Sequence, residues 1–283
     1  MRPRIRRHEE QHAGSRPLAG RRILVTRPSH QSRTLCGQLR RLGAQAFAVP
    51  SIAIEPPRPG GPLDDALRRI ARYDWVIATS ANGARAIMER ARALRMDLAP
   101  IRTVRWAAVG PATARVLRAA GIAVAAMPSR FVTEAIPEAL RDVAGARILL
   151  PRTDAAPPAL AQTLRQRGAV VDEVAAYRTV LAPAASRARA RRLIGGRRVD
   201  TVIFTSASTV RGLVRLLGPE RRALGALAIA CIGPVTAAAV VEEGFAPTVV
   251  ATEHTTEGLL DALVSHARRT QRGAHDARDR AAR

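Results

Sequence analysis

No lysine occurs in the 283 residues, so all 46 basic residues are arginine. That absence excludes a Schiff-base lysine, pyridoxal-phosphate chemistry built on one, and a P-loop lysine. Aromatic residues are nearly as scarce at 3%, while hydrophobic residues reach 47%, so the core must be aliphatic. Cores of Ala, Val, Leu and Ile suit parallel sheets covered by helices. The two cysteines, Cys36 and Cys231, follow no metal or redox spacing, and a reducing, cytoplasmic setting is expected. The longest stretch without charge, residues 223–241, contains Gly225, Gly233, Pro234 and Thr236 and reads as strand, turn and helix. No membrane span or membrane partner is expected from it. The start of the chain reaches Glu9, Glu10 and Gly14 without the apolar stretch of a signal peptide. None of the six histidines has a repeat counterpart or a metal partner at ligand spacing, and no metal is expected. Dinucleotide fingerprints, nucleophile elbows and paired carboxylates are also lacking.

Charge is what the chain has in excess. The net charge is +23, but residues 1–22 hold seven Arg against Glu9 and Glu10, and residues 267–283 hold six Arg against Asp276 and Asp279. Both ends, 1–19 and 267–283, read as disordered Arg-rich tails. The remaining +14 on the body favours polyanionic ligands.

The strongest signal is an internal repeat. Asp74-Trp-Val-Ile-Ala-Thr-Ser80 matches Asp200-Thr-Val-Ile-Phe-Thr-Ser206 at an offset of 126. Val109-Gly-Pro-Ala-Thr-Ala114 matches Ile232-Gly-Pro-Val-Thr-Ala237 at 123, an offset kept by Thr133 and Thr256. Ile23-Leu-Val-Thr-Arg27 matches Ile148-Leu-Leu-Pro-Arg152 at 125. Each copy alternates short apolar strands with amphipathic helices. The strands fall near 22–26, 46–50, 75–79, 106–109 and 123–126, then 147–150, 170–174, 201–205, 228–232 and 248–251. Gly43, Gly121, Gly168 and Gly244 follow helices and suit left-handed caps. The pattern predicts an α/β protein of two flavodoxin-like, parallel-sheet domains arisen by duplication. Two extended stretches, 46–55 and 170–183, are either second strands with loops or crossings between domains.

In such sheets ligands bind beyond the carboxyl ends of the strands, where the repeated motifs fall. Ser80 and Ser206 can each cap a helix and present N–H groups to an anion. Gly110 with Thr113, and Gly233 with Thr236, open helices in the same way; the plain alternative is that all these hydroxyls are only caps. Arg27 and Arg152 end the first strand of each copy and can fork onto a carboxylate, or simply decorate the surface. Tyr177, whose repeat counterpart is Ile52, is either core filler or a proton-donating hydroxyl.

Val25-Thr-Arg-Pro28, the two Thr-Ser turns, the two Gly-Pro-x-Thr-Ala turns, Tyr177-Arg-Thr-Val180 and Thr255-Thr-Glu-Gly-Leu259 together resemble the uroporphyrinogen-III synthase family. The resemblance runs over residues 18–267. It implies a discontinuous first domain of 20–45 with 182–266, a second domain of 46–181, and a two-stranded antiparallel linker ladder made by the extended stretches. It further implies cofactor-free closure of hydroxymethylbilane to uroporphyrinogen III, with loss of water and inversion of ring D. Tyr177 would assist hydroxyl departure, while Arg27, Ser80, Gly110, Thr113, Arg152, Ser206, Gly233 and Thr236 would line a polyanion-binding cleft. A monomer is implied, with room for a transient contact with the preceding deaminase. The turn Thr153-Asp-Ala-Ala-Pro-Pro158 departs from the family in lacking its glycine and arginine. Two rivals remain: a non-catalytic tetrapyrrole- or polyanion-binding module of the same fold, and arginine-driven nucleic-acid binding. The latter predicts salt-steep affinity lost with the tails, and the lack of stacking aromatics counts against it.

Overall fold

Ile23 and Val25 leave the first strand on one side and pack with Leu35, Leu39 and Leu260; Leu24, between them, packs on the other with Leu193, Phe204 and Leu213. A strand buried on both faces needs helices on both faces, which is how this chain is built. The computed structural model describes residues 16–281. Its strands are β1 (Arg22–Val25), β2 (Gln45–Ala48), β3 (Ile52–Glu55), β4 (Trp75–Ala78), β5 (Arg105–Ala108) and β6 (Val124–Ala126). They continue as β7 (Arg147–Thr153), β8 (Val170–Leu181), β9 (Thr201–Phe204), β10 (Ala228–Cys231) and β11 (Val249–Val250). No helix among the described residues is long and apolar enough to cross a membrane.

The chain divides into two compact units. One holds the residues up to Ala53 and those from Val180 onward; the other is Ile54–Thr179. In the first unit the strand order is β11-β10-β9-β1-β2, all parallel. In the second it is β8-β7-β4-β5-β6, also parallel, with β3 beyond β8. Counted in the order of the repeat, both sheets run 2-1-3-4-5. Each takes its first two strands from one sequence copy and its last three from the other.

The division of the chain differs from the expected one. Residues 46–48 belong to the first unit: β2 pairs in parallel with β1, from Arg22 beside Gln45 to Val25 beside Ala48. The pairing is continued by Val49 N–H to the Val25 carbonyl at 2.9 Å. Only Ile52–Glu55 serves as the outgoing linker strand. The long β8 does two jobs, pairing with β7 as far as Tyr177 and lying next to β3. Both unit boundaries fall inside these neighbours.

The tails also differ. Residues 1–15 and 282–283 lie outside the described residues, but Leu18 is only 1% exposed and its N–H bonds the Leu42 carbonyl at 2.9 Å. The last helix, Thr256–Ala281, carries on through the stretch expected to be a tail. Ala267 is buried against the first unit's core, and Arg21 donates to Thr270 Oγ1 at 3.1 Å, so its apolar face extends past residue 266. The four glycines expected as caps have φ of +96°, +77°, +83° and +85° at Gly43, Gly121, Gly168 and Gly244, angles that favour glycine.

Candidate functional site

Parallel pairing puts the ends of β4, β5, β7 and β8 on one edge of the second unit's sheet. Ser80 follows β4 with extended backbone and caps the helix Ala81–Ala93; its Oγ accepts the Gly83 N–H at 3.0 Å. The same Oγ lies 3.0 Å from the Tyr177 hydroxyl, contributed by β8. Burial pushes the Tyr177 pKa above its ordinary value, against a smaller opposite effect of the Ser80 hydrogen bond, so the phenol keeps its proton at neutral pH. A cavity of about 280 Å³ opens beside Tyr177, lined by apolar Pro56, Pro57 and Leu63 and by Arg58 and Arg178.

Gly83 explains how the ring is seated. A Cβ there would stand 3.3 Å from the Pro151 carbonyl oxygen, 3.4 Å from Ser80 Oγ and 3.7 Å from Tyr177 Cε1. The other copy has Thr209 at this position. Its Oγ1 accepts the Ser206 N–H at 3.3 Å, while Ser206 Oγ accepts the Thr209 N–H at 3.3 Å, a reciprocal capping box. Ser206 Oγ also pairs with Ser208 Oγ at 2.9 Å. Ile52, the counterpart of Tyr177, is 6% exposed and packs where a Cβ on Gly212 would lie 2.6 Å from its Cγ2. Equivalent turns thus carry different devices: a serine–tyrosine pair in one copy and a closed capping box in the other. Comparing residues 83 and 209 across the repeat is the sequence signal that could have found this.

The Gly-Pro-x-Thr turns behave alike in both units. Gly110 and Gly233 are the N-caps of helices Pro111–Ala119 and Pro234–Glu242, each with proline in the first turn. Thr113 and Thr236 are each 4% exposed, and neither hydroxyl has a hydrogen bond among the described residues. First-turn amides have no intrahelical acceptor, so each turn offers N–H groups beside an unspent hydroxyl, a set that suits a carboxylate.

The two arginines part company. Arg27 is half-buried; its Nε donates to Thr205 Oγ1 at 3.1 Å and its Nη1 to Thr256 Oγ1 at 3.2 Å, hydroxyls that aim the guanidinium. Arg152 is 3% exposed and its Nη2 is bound to Glu173 on the neighbouring strand, so its charge is spent inside the sheet. For Arg152 to fork onto a ligand carboxylate, as expected from the sequence, it would have to exchange Glu173 for the ligand. The register of β7 against β8 places Arg152 next to Ala175, two residues beyond Glu173, and the acid neutralises it there. Among the described residues no group of three or more His, Cys, Asp and Glu could hold a metal ion.

The family described as uroporphyrinogen-III synthase HemD matches residues 33–261. A uroporphyrinogen-III synthase of Synechococcus elongatus is 36% identical over 90% of this chain and 98% of its own length. Among solved structures, a mutant uroporphyrinogen III synthase of Thermus thermophilus is 23% identical. It matches with a TM-score of 0.63 over 89% of this chain and all of that one. The synthetase of Helicobacter pylori 26695, 16% identical, matches with a TM-score of 0.57 over 87% of this chain and 99% of that one. These two likenesses are of fold. The family match and the identity to the Synechococcus protein carry the conclusion that this chain belongs to the uroporphyrinogen-III synthase family.

Proposed function

We propose that the chain closes linear hydroxymethylbilane to uroporphyrinogen III, with loss of water and inversion of ring D, and without a cofactor. The observation that carries this reading is the Tyr177 hydroxyl, held at the strand ends by Ser80 and kept protonated by burial. Tyr177 passes its proton to the departing hydroxyl, which leaves as water, and the conjugated substrate then supplies its own electrophile. The proton lost from the attacked ring carbon restores the phenol. General acid assistance of this kind contributes about 10²–10⁴-fold. The rest is positioning, which selects attack through ring D over direct closure.

Binding falls to the groups that take carboxylates. In one unit these are Arg27, Ser206, Gly233 and Thr236; in the other, Gly110 and Thr113, with Ser80 acting through Tyr177. The +14 on the body draws a polycarboxylate toward both. Cys36 and Cys231 are free and buried, which suits a monomer working in the reducing cytoplasm. Because the open-chain substrate also closes unaided, a transient contact with the deaminase that makes it belongs to this reading.

One assay decides. Fresh hydroxymethylbilane is supplied, the product oxidised and the porphyrin isomer identified. Isomer III is expected. Isomer I alone would mean spontaneous closure, and would leave only a binding module of the same fold.

A further inference from the structure

Gly110 and Gly233 do not need to be glycine for their backbone angles: φ of −158° and 176° is extended chain that any residue adopts. What distinguishes them is the side chain laid against each, which leaves no room for a Cβ at Gly233 and stands in ordinary contact distance of one at Gly110. A Cβ on Gly233 would stand 2.8 Å from His254 Cδ2 and 3.1 Å from His254 Cγ. A Cβ on Gly110 would stand 3.4 Å from Phe131 Cβ and 3.7 Å from Phe131 Cγ. Residues 131 and 254 are separated by 123, the same offset that relates Thr113 to Thr236. In each unit, therefore, the same position of the same loop brings a ring onto the same glycine. His254 has a positional counterpart after all, though not one in kind.

Both rings are left in solvent. Phe131 is 42% exposed in a chain with only four phenylalanines, whereas Phe204 and Trp106 are fully buried. His254 is also exposed. Each ring stands beside a helix start whose third residue, Thr113 or Thr236, is 4% exposed with an unspent hydroxyl. A flat face next to a hydroxyl and first-turn amides matches a flat heterocycle that carries a carboxylate. The substrate of the proposed reaction is a chain of such heterocycles.

We propose that Phe131 and His254 are substrate-contacting residues. Each provides the ring on which one pyrrole rests while that pyrrole's carboxylate takes the adjoining threonine hydroxyl and amides. This inference rests on the proposed function for the identity of the heterocycle, and on Gly110 and Gly233 for the placement of the rings. His254 adds an N–H that can reach a carboxylate; Phe131 contributes its face alone.

The test uses the full chain as Phe131→Ala, Phe131→Tyr, His254→Ala and His254→Phe. Steady-state kinetics use fresh hydroxymethylbilane, and a titration uses uroporphyrin III, followed by porphyrin fluorescence. The two alanine variants should raise KM and weaken porphyrin binding about three- to tenfold, with melting temperature unchanged because both rings are exposed. The two ring-retaining variants should recover most of that loss. Alanine variants with wild-type KM and wild-type porphyrin affinity would overturn the proposal. So would ring-retaining variants as impaired as the alanine ones, since a ring face would then not be what matters. If the wild-type chain makes no isomer III, the proposed function fails, yet the porphyrin titration still decides whether the two rings bind a tetrapyrrole.

Discussion

The Tyr177 hydroxyl stands 3.0 Å from Ser80 Oγ, which already accepts the Gly83 N–H at 3.0 Å. With a backbone amide donating to Ser80, the serine hydrogen is free to go to the Tyr177 oxygen, and the phenolic proton can then point away from the pair. A tyrosine hydrogen-bonded in this sense is a better donor than one whose own proton is tied up, because the acceptor role strengthens the outgoing bond. Tyr177→Phe should therefore lower kcat by about 10²-fold with little change in KM or melting temperature. An unaltered rate would remove Tyr177 from the chemistry. Ser80→Ala should lower kcat less, by about tenfold, and cost about 1 kcal/mol of stability through the lost cap, read from denaturant midpoints.

Gly83 is the second point at which the two copies diverge with a chemical consequence. Substituting the residue of the other copy, Gly83→Thr, puts a branched side chain where Pro151, Ser80 and Tyr177 already meet. The expected result is a chain that folds, by circular dichroism, but has lost most of its kcat. Full activity in Gly83→Thr would show that the ring does not depend on this seat.

Only two tyrosines are present, so ultraviolet difference absorbance follows their joint ionisation, and a Tyr73→Phe variant isolates Tyr177. Burial, then the hydrogen bond to Asp172 at 2.6 Å, pushes the Tyr73 pKa up to about 12. Burial raises that of Tyr177 as well. A raised folded pKa on a group that is neutral when protonated leaves stability whole below the ordinary value of 10.0 and removes it as pH climbs through the folded value. Native protein should have less than half of its tyrosine ionised at pH 10, and the contribution of Tyr73 to stability should be lost as pH climbs toward 12. Half-ionised tyrosine in the native protein at pH 10 would contradict this. Tyr73→Phe should leave a single titrating phenol and an unchanged product isomer.

Asp64 is fully buried and accepts Arg90 Nε and Nη2 at 2.5 Å each and the Gly60 N–H at 2.6 Å. The pair ties the helix Pro62–Arg68 to the one that Ser80 caps. The Arg90 hydrogen bonds hold the Asp64 pKa below its ordinary 3.8, so the stability it confers is present above that value and is lost as pH falls through the lower one. Asp64→Asn should lower the melting temperature by roughly 5–10 °C and flatten the acid limb of stability. Arg90→Lys, which cannot grip both oxygens, should recover little. A melting temperature unchanged in Asp64→Asn would show that the clasp is not holding the two helices.

Much of this was legible in the chain itself. Ten of the strands lie where short apolar runs end in a small polar residue, because a strand buried on both faces leaves that trace. The left-handed glycines and the helix-opening Ser80, Ser206, Gly110 and Gly233 were also readable, since their roles depend on near neighbours in sequence. The stretch 46–55 read as extended, but its split into a sheet strand and the separate linker strand Ile52–Glu55 was not legible, nor was the helical run beyond residue 266. The first is defined by its neighbour β8, and the second by an apolar face whose partners are far off in sequence.

Local periodicity and the repeat determined the α/β class, the duplicated turns and the residues that could donate to a polyanion, because those properties reside in stretches of a few residues. Tertiary structure alone decided that residues 45–48 pair with the first strand, that Arg152 is bound to Glu173, and that Tyr177 meets Ser80 across a glycine. Those outcomes depend on approach distances between residues far apart in sequence, 97 positions for Tyr177 and Ser80. No amount of local propensity encodes the space left by an absent Cβ.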